Sequence, residues 1–322
     1  MPERTLVTGA LGCVGVWTLK ALLALGEEPV GYDLGGGDAR LRLVLDDEER
    51  ARVTLVEGDV TDGDLLGRML DEHEVTRVVH LAALQVPFCR ADAARGARVN
   101  VYGTVVVFEA VKARRSRIPG LAYASSTAVY NASDRSPAPE SGGTEPTTLY
   151  GVYKLANEGT ARIFWLDEDV ASIGIRPYVV YGPGRDQGLT SGPSLAMEAA
   201  ARGKGFEIAY GGTAQYDFAP DVGRAFALAA RAATSEARVA NFPGEPSTMA
   251  DVVSAIEAAA PEVAGRITWD EGQLPFPAAL QGTLLEHLVG PLPRTALADG
   301  VRRTIEHFRA RAGTGRAATG AS

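Results

Sequence analysis

An α/β fold is predicted, a doubly wound parallel sheet followed by a smaller C-terminal region, and three observations predict it. Strand-like apolar runs alternate with helical spacings from Arg4 to Arg176, the pattern of a sheet with crossover helices on both faces. Several runs, such as Arg77–Ala82 (RVVHLA), are nearly continuous rather than alternating, as strands covered on both faces are. After Pro177 the alternation breaks, and Gly/Pro-rich turns such as Gly182-Pro183-Gly184 divide smaller units.

The elements follow in order. Arg4–Thr8 is a short strand running into glycines, and Val14–Leu25 has helical spacing. Pro29–Tyr32 is the second strand, ending at Asp33, and Ala51–Glu57 the third. Asp62–His73 is a helix, Arg77–Ala82 a strand and Ala91–Arg115 a long helix. Leu121–Ser125, Leu149–Trp165 and Ala171–Arg176 complete the pattern as strand, helix and strand. Beyond it lie helices near Ser194–Arg202, Val222–Arg231, Met249–Ala259 and Ala298–Arg311, with a strand at Phe206–Tyr210. The expected division is a domain over 1–176, to which some later segments (about 215–243) return, and a substrate-binding region over 177–311. Residues 312–322 are poor in bulky side chains and are expected to be a disordered tail.

At 322 residues and 46% hydrophobic content, the chain can bury one large α/β unit or two joined ones. A net charge of −8 argues against nucleic acid or an anionic membrane as an obligatory partner. The two cysteines, Cys13 and Cys89, make no disulfide framework. No stretch reads as a transmembrane span, and the first apolar run is the glycine-rich segment itself rather than a leader, so a cytoplasmic location is expected. His73, His80, His287 and His307 show no metal-ligand spacing, so no metal is expected.

Chemistry enters with Thr8-Gly9-Ala10-Leu11-Gly12-Cys13-Val14-Gly15. Glycines at this spacing, after a strand and opening a helix, allow a tight turn and a close approach of the helix N-terminus to a pyrophosphate. Asp33, eighteen residues beyond Gly15, ends the second strand, where a carboxylate can bind ribose hydroxyls. It would repel a 2′-phosphate, so the reading is a Rossmann-type fold with NAD as cofactor, although Arg40 and Arg42 lie nearby.

Tyr150 and Lys154, at i and i+4, share a helix face downstream of Ser126. A phenol of pKa roughly 10 must drop about three units to act as a base near neutrality, or about 4 kcal/mol. One positive charge about 4 Å away supplies about that much at an effective dielectric of roughly 20. One lysine is therefore enough in principle, the positive ring of an oxidised nicotinamide cofactor would help, and the constellation reads as proton transfer coupled to hydride transfer. Tyr130 and Tyr153 read as packing residues, and Cys89 as an inert thiol.

These motifs resemble the extended short-chain dehydrogenase/reductase family, the NAD-dependent epimerases and dehydratases, over about residues 4–185. Its marks are Thr8–Gly15, Asp33, Gly58-Asp59-Val60, His80-Leu81-Ala82-Ala83, Asn100 with Gly103-Thr104, Ser125–Tyr130, Tyr150/Lys154 and Arg176-Pro177 leading to Tyr181–Gly184. The resemblance implies that Gly9, Gly12, Cys13, Val14, Gly15, Asp33, Asp59, Val60, Leu81, Ala82, Ala83, Asn100 and Pro177 serve the cofactor. It implies that Tyr150 is the catalytic base, that Lys154 binds the nicotinamide ribose while tuning the phenol, and that Ser126 holds the reacting oxygen. Gln85, Ser125, Ser126, Thr127, Val179, Gln187 and Tyr216 are the expected substrate residues. A homodimer through the helices at Ala91–Arg115 and Leu149–Trp165 is also implied.

The chain departs from the family where sugar-nucleotide epimerases carry Asn (here Val179), a diphosphate-pairing Arg (here Tyr216) and, in galactose epimerases, Lys (here Gln85). Arg185, Arg202 and Lys204 are the cations left to compensate. Thr127-Ala128 stand where 4,6-dehydratases place an acidic pair, which argues against dehydration. The leading expectation is an NAD-dependent oxidoreductase acting on a secondary alcohol of a sugar, sugar acid or small polyol. The alternative is an NAD-dependent sugar epimerase, nucleotide-linked or free, with the same triad. A dinucleotide-sensing regulator is a third reading, disfavoured because the Tyr–Lys pair is kept.

Overall fold

The computed structural model describes residues 3–142, 145–232 and 234–318. Six short strands, β1 (Thr5–Thr8), β2 (Val30–Asp33), β3 (Thr54–Glu57), β4 (Arg77–His80), β5 (Gly120–Ala124) and β6 (Ala171–Arg176), form a parallel sheet with a later strand, Ala237–Asn241. The order across the sheet is Ala237–Asn241, β6, β5, β4, β1, β2, β3. The sequence therefore reverses direction at β1 and β4, the switch point where an open α/β sheet leaves a crevice.

Each face of the sheet is covered by its own core. On one face, Val16, Leu19 and Leu22 of helix α1 (Cys13–Ala24) pack with Val222, Ala225 and Phe226 of the helix Ala219–Arg231. On the other, Leu66, Val107, Phe108 and Val111 meet Leu6, Val78 and Tyr123. β6 is buried at every position, which explains why it carries no polar alternation. A third core, with Val179, Tyr181, Met197, Tyr216, Ile256 and Ile305, joins a small sheet (Val179–Tyr181, Thr213–Phe218, Pro246–Thr248) to the helices Gly192–Ala201, Met249–Ala259 and Leu297–Ala318.

Three expected elements differ. The long helix over Ala91–Arg115 is divided into Val86–Ala91, Ala93–Ala97, a π-helical stretch Arg98–Tyr102, and Gly103–Lys112. Asp92 causes the first break: its backbone is extended and its carboxylate accepts from the Arg95 amide at 2.9 Å, capping a new helix instead of continuing the old one. The third strand begins at Thr54, because Asp46 and Glu49 form a capping box that makes Asp47–Ala51 helical. Helical backbone continues past Arg311 to Ala318, in keeping with the propensity of its alanines and arginine, where a disordered tail was expected. Residues 319–322 of that segment lie outside the described residues. No described helix is long and apolar enough to cross a membrane.

Candidate active site

A cavity of about 530 Å³ opens at the carboxyl ends of the strands, lined by the segments that leave β1, β2, β3, β4, β5 and β6. Gly9, Gly12, Cys13, Val14 and Gly15 line it after β1, Asp33 at the end of β2, and Asp59 and Val60 after β3. Leu81, Ala82, Ala83 and Gln85 follow β4, Ser125, Ser126 and Thr127 follow β5, and Pro177 follows β6. Tyr150 and Lys154 come from the helix Leu149–Glu168, and Gln187 from the loop beyond Gly184.

The β1 end is a cradle of backbone. No side chain caps the α1 N-terminus and no acid stands in its first turn, so its orphan amides and dipole are open to an anion. A Cβ at Gly15 would lie 2.1 Å from the Gly9 carbonyl oxygen, so only glycine lets helix and turn close this tightly. Asp33 accepts from the Leu11 amide at 2.9 Å, which holds its carboxylate at the rim, and burial raises its pKa. Both nearby arginines are engaged: Arg40 grips Asp186, with Nη2 to Oδ1 at 2.7 Å, and Arg42 pairs with Asp38 at 2.8 Å. A negative carboxylate beside occupied guanidinium groups fits a dinucleotide with a free ribose 2′-hydroxyl, which is NAD rather than NADP.

The opposite wall carries the titratable groups. Thr148 caps the helix Leu149–Glu168 by accepting from the Gly151 amide at 3.0 Å, which fixes the first turn bearing Tyr150. The Tyr150 phenol neighbours Ser126, which favours its ionised form, and the Ser126 Oγ itself accepts from the Ala128 amide at 3.1 Å. Lys154 is almost wholly buried; its Nζ donates to the Ala124 carbonyl at 2.7 Å and lies 5.6 Å from the Tyr150 ring centre. Desolvation dominates both groups. It pushes the Tyr150 phenol above its ordinary range, opposed by Ser126 and the charge of Arg185, and it lowers Lys154 to about 8. The expectation that one lysine is enough to make the phenol a base therefore fails for the protein by itself, because burial works against both ions.

Three expected site residues do not face the cavity. Asn100 is buried on the π-helical turn, where its Oδ1 accepts from the Leu84 amide at 2.7 Å and its Nδ2 donates to the Leu84 carbonyl at 2.9 Å. It fixes the loop Leu81–Gln85 from beneath. Val179 is fully buried in the third core, because strand alternation turns 178 and 180 toward the cavity and 179 and 181 away. Tyr216 is the register partner of Val179 and packs into the same core. The side chains at 179 and 216 thus say nothing about how this cavity holds an anion. Ser125 lines the cavity but is committed, its hydroxyl donating to Glu158 at 2.5 Å, beside the buried Glu158–Arg176 pair. Thr127 donates to the Pro177 carbonyl at 3.0 Å.

The other residues set aside as structural are so placed. Tyr130 is hydrogen-bonded to Pro139 and Asn241, Tyr153 donates to the Ala93 carbonyl at 2.8 Å, and Cys89 is buried with its thiol toward the Leu84 carbonyl. His80 bridges Thr8 and Thr104 in the core. Sequence reasoning missed Tyr178 and Phe276. The latter comes from an irregular segment joined to Gly211 and Ala138 by isolated bridges, and no motif announces it. Of the three compensating cations, Arg185 alone lines the cavity.

Comparison with known proteins agrees with this geometry. The model of the NAD dependent epimerase/dehydratase family matches residues 5–241. A UDP-glucose 4-epimerase of Mycolicibacterium smegmatis is 32% identical over 322 residues, covering 95% of this chain and 98% of that protein. The structure of a Thermus thermophilus UDP-glucose 4-epimerase in complex with NAD superposes with a TM-score of 0.80 at 26% identity, covering 95% of this chain and 99% of that one. Thermotoga maritima UDP-glucose 4-epimerase, solved with UDP-glucose, gives a TM-score of 0.82 at 22% identity, over 96% of this chain and 100% of that one, and shares the fold.

Proposed function

Because the chain belongs to the NAD-dependent epimerase/dehydratase family, we propose that it is an NAD-dependent epimerase of a nucleotide-linked sugar, with Tyr150 moving the hydroxyl proton. One observation carries the reading: Tyr150 and Ser126 line the same cavity as the open α1 N-terminus and Asp33. The relative matched over nearly its whole length is an epimerase. The dehydrogenase expectation rested on the departures at 179, 216 and 85; the first two positions belong to the third core, and Gln85 alone lines the cavity.

In this reading the α1 amides hold the diphosphate, Asp33 the adenosine ribose and Lys154 the second ribose. NAD, when bound, supplies the hydride acceptor and a positive ring. Ser126 orients the substrate hydroxyl, and Tyr150 takes its proton as the carbon gives up its hydride and returns it to the oxygen as the hydride comes back to the opposite face of the same carbon, so that no net oxidation remains. Burial keeps the phenol protonated in the protein alone, so proton acceptance waits for added positive charge in the cavity. No acid stands beside Ser126 to expel a neighbouring hydroxyl, which disfavours dehydration.

The test is to incubate the purified protein with NAD and UDP-sugars, following 340 nm absorbance and separating products by chromatography. Interconversion of C4 epimers without accumulating NADH is expected; stoichiometric NADH with an oxidised sugar would replace the epimerase by the dehydrogenase. We also infer a homodimer. Leu149, Val152, Ala156, Gly159, Ile163 and Leu166 form a stripe along the helix Leu149–Glu168, and its large members are exposed. A monomer by light scattering would refute that inference.

A further inference from the structure

Tyr150, Lys154 and Glu158 follow at every fourth position of the helix Leu149–Glu168, so they share one face of it. The first two line the cavity, and Glu158 lies buried one turn beyond Lys154. Its carboxylate forms a two-point pair with Arg176: Nε donates to Oε1 at 2.7 Å and Nη2 to Oε2 at 2.6 Å. Only 8% of the Glu158 side chain and 4% of the Arg176 side chain are exposed. Glu158 Oε1 also accepts from the Ser125 hydroxyl at 2.5 Å, and Arg176 Nη1 donates to the Glu140 carbonyl at 3.0 Å and to the Tyr130 hydroxyl. The pair therefore joins three segments that reach the cavity, because Ser125 precedes Ser126 beyond the end of β5 and Arg176 precedes Pro177 at the end of β6.

Desolvating two charges costs so much that an apolar pair of similar volume is often as stable, so stability does not account for this one. What a forked guanidinium–carboxylate pair adds is direction, and here the direction bears on the reacting groups. Ser126 follows two residues tied to the helix that carries Tyr150: the Ala124 carbonyl accepts from Lys154 Nζ at 2.7 Å, and the Ser125 hydroxyl reaches Glu158. The Ser126 backbone is extended, so fixing the Ser125 side chain fixes the side to which Ser126 turns. Beyond it, the Pro177 carbonyl accepts from the Thr127 amide at 3.1 Å and from the Thr127 hydroxyl at 3.0 Å, closing a ring of contacts between β5, β6 and the helix. We propose that Glu158, locked by Arg176, is a positioning residue of the reaction, which sets Ser126 against Tyr150. Neither member of the pair lines the cavity, so both act through their neighbours. The inference rests on the reading that Tyr150 and Ser126 do the chemistry.

The experiment uses the full chain with NAD and UDP-glucose, and restores the fold without the pair. Glu158→Gln, which leaves Arg176 buried and unpaired, should lower Tm by about 5–10 °C. Glu158→Leu combined with Arg176→Met should recover most of that Tm. Its kcat should nevertheless stay about 10–100-fold below the wild type, the scale of a misplacement of about 1 Å. KM for UDP-glucose and the calorimetric affinity for NAD should remain within about twofold. Hydrogen exchange gives a readout without turnover: the Ser125–Ala128 amides of the double variant should lose at least about tenfold of their protection. Recovery of kcat together with Tm, or wild-type protection at 125–128, reduces the pair to core packing and overturns the proposal. Equal losses of kcat and NAD affinity overturn it too, as a general loosening. Should the double variant not fold, Ser125→Ala cuts the tie to Glu158 and leaves the ion pair whole; it should lower kcat at least about threefold at unchanged KM, and an unaltered kcat sinks the idea. Failure of the underlying reading is separate: it shows as turnover kept by Tyr150→Phe or as none in the wild type, and the exchange measurement still decides whether the pair places Ser126.

Discussion

The two ends of the cavity are built from different materials. At the β1 end, the binding surface is backbone: glycines, uncapped amides and a single carboxylate held by an amide. At the far end it is side chains, namely Ser126, Tyr150, Gln85, Arg185 and Phe276, brought in from five separate segments. A backbone cradle tolerates no added atom, whereas a side-chain wall can be retuned one residue at a time. The difference explains how one scaffold keeps its cofactor while its substrates diverge.

Tyr150→Phe probes this division most strongly. It should lower kcat by about 10³-fold, the scale of lost acid–base catalysis, while NAD affinity stays within about twofold. Steady-state kinetics with cofactor titration decide it; retained turnover would remove Tyr150 from the chemistry. Gly15→Ala is the converse case at the backbone end. Its Cβ meets the Gly9 carbonyl, and overpacking of this kind costs about 1–3 kcal/mol. NAD affinity should fall by at least about tenfold along with Tm, and an unaltered affinity would mean that the turn is looser than its geometry.

Lys154 stands between the two ends and offers a test by pH. Its pKa falls from the ordinary 10.5 to about 8 on folding, so between those values the unfolded chain holds a proton that the folded chain lacks. Stability from this residue therefore rises with pH across that window. Subtracting the urea-unfolding profile of Lys154→Met from that of the wild type should expose a gain of roughly 2–3 kcal/mol. Parallel profiles would show that the ammonium is not desolvated.

Val179→Asn asks whether position 179 belongs to the site or to the core. An amide buried there without partners should cost about 1–3 kcal/mol of stability and leave substrate KM unchanged. A lowered KM for a nucleotide sugar would return the position to the cavity. Asp33→Ser has the smallest expected effect, a shift of about tenfold toward NADP in the ratio of cofactor affinities, because Arg40 stays tied to Asp186. No shift would mean that the carboxylate does not face the ribose.

Much of the molecule was legible in its sequence, for local reasons. The glycine spacing, Asp33 at a strand end and Tyr150 one turn before Lys154 each encode geometry within a few bonds or one helical turn, so their placement in the cavity follows from pattern. The apolar runs likewise fixed the central strands, since a strand buried on both faces has no other composition to choose. Tertiary structure alone decided the rest. Whether Val179 and Tyr216 face the cavity or the third core depends on a register between segments far apart in the chain. Asn100 fastens a loop because Asp92 and a π turn rotate it there, and Phe276 arrives on a segment without periodicity. The sign of the Tyr150 shift was out of reach for the same reason. Residue identity says which charges exist, and only packing says how much water each has lost.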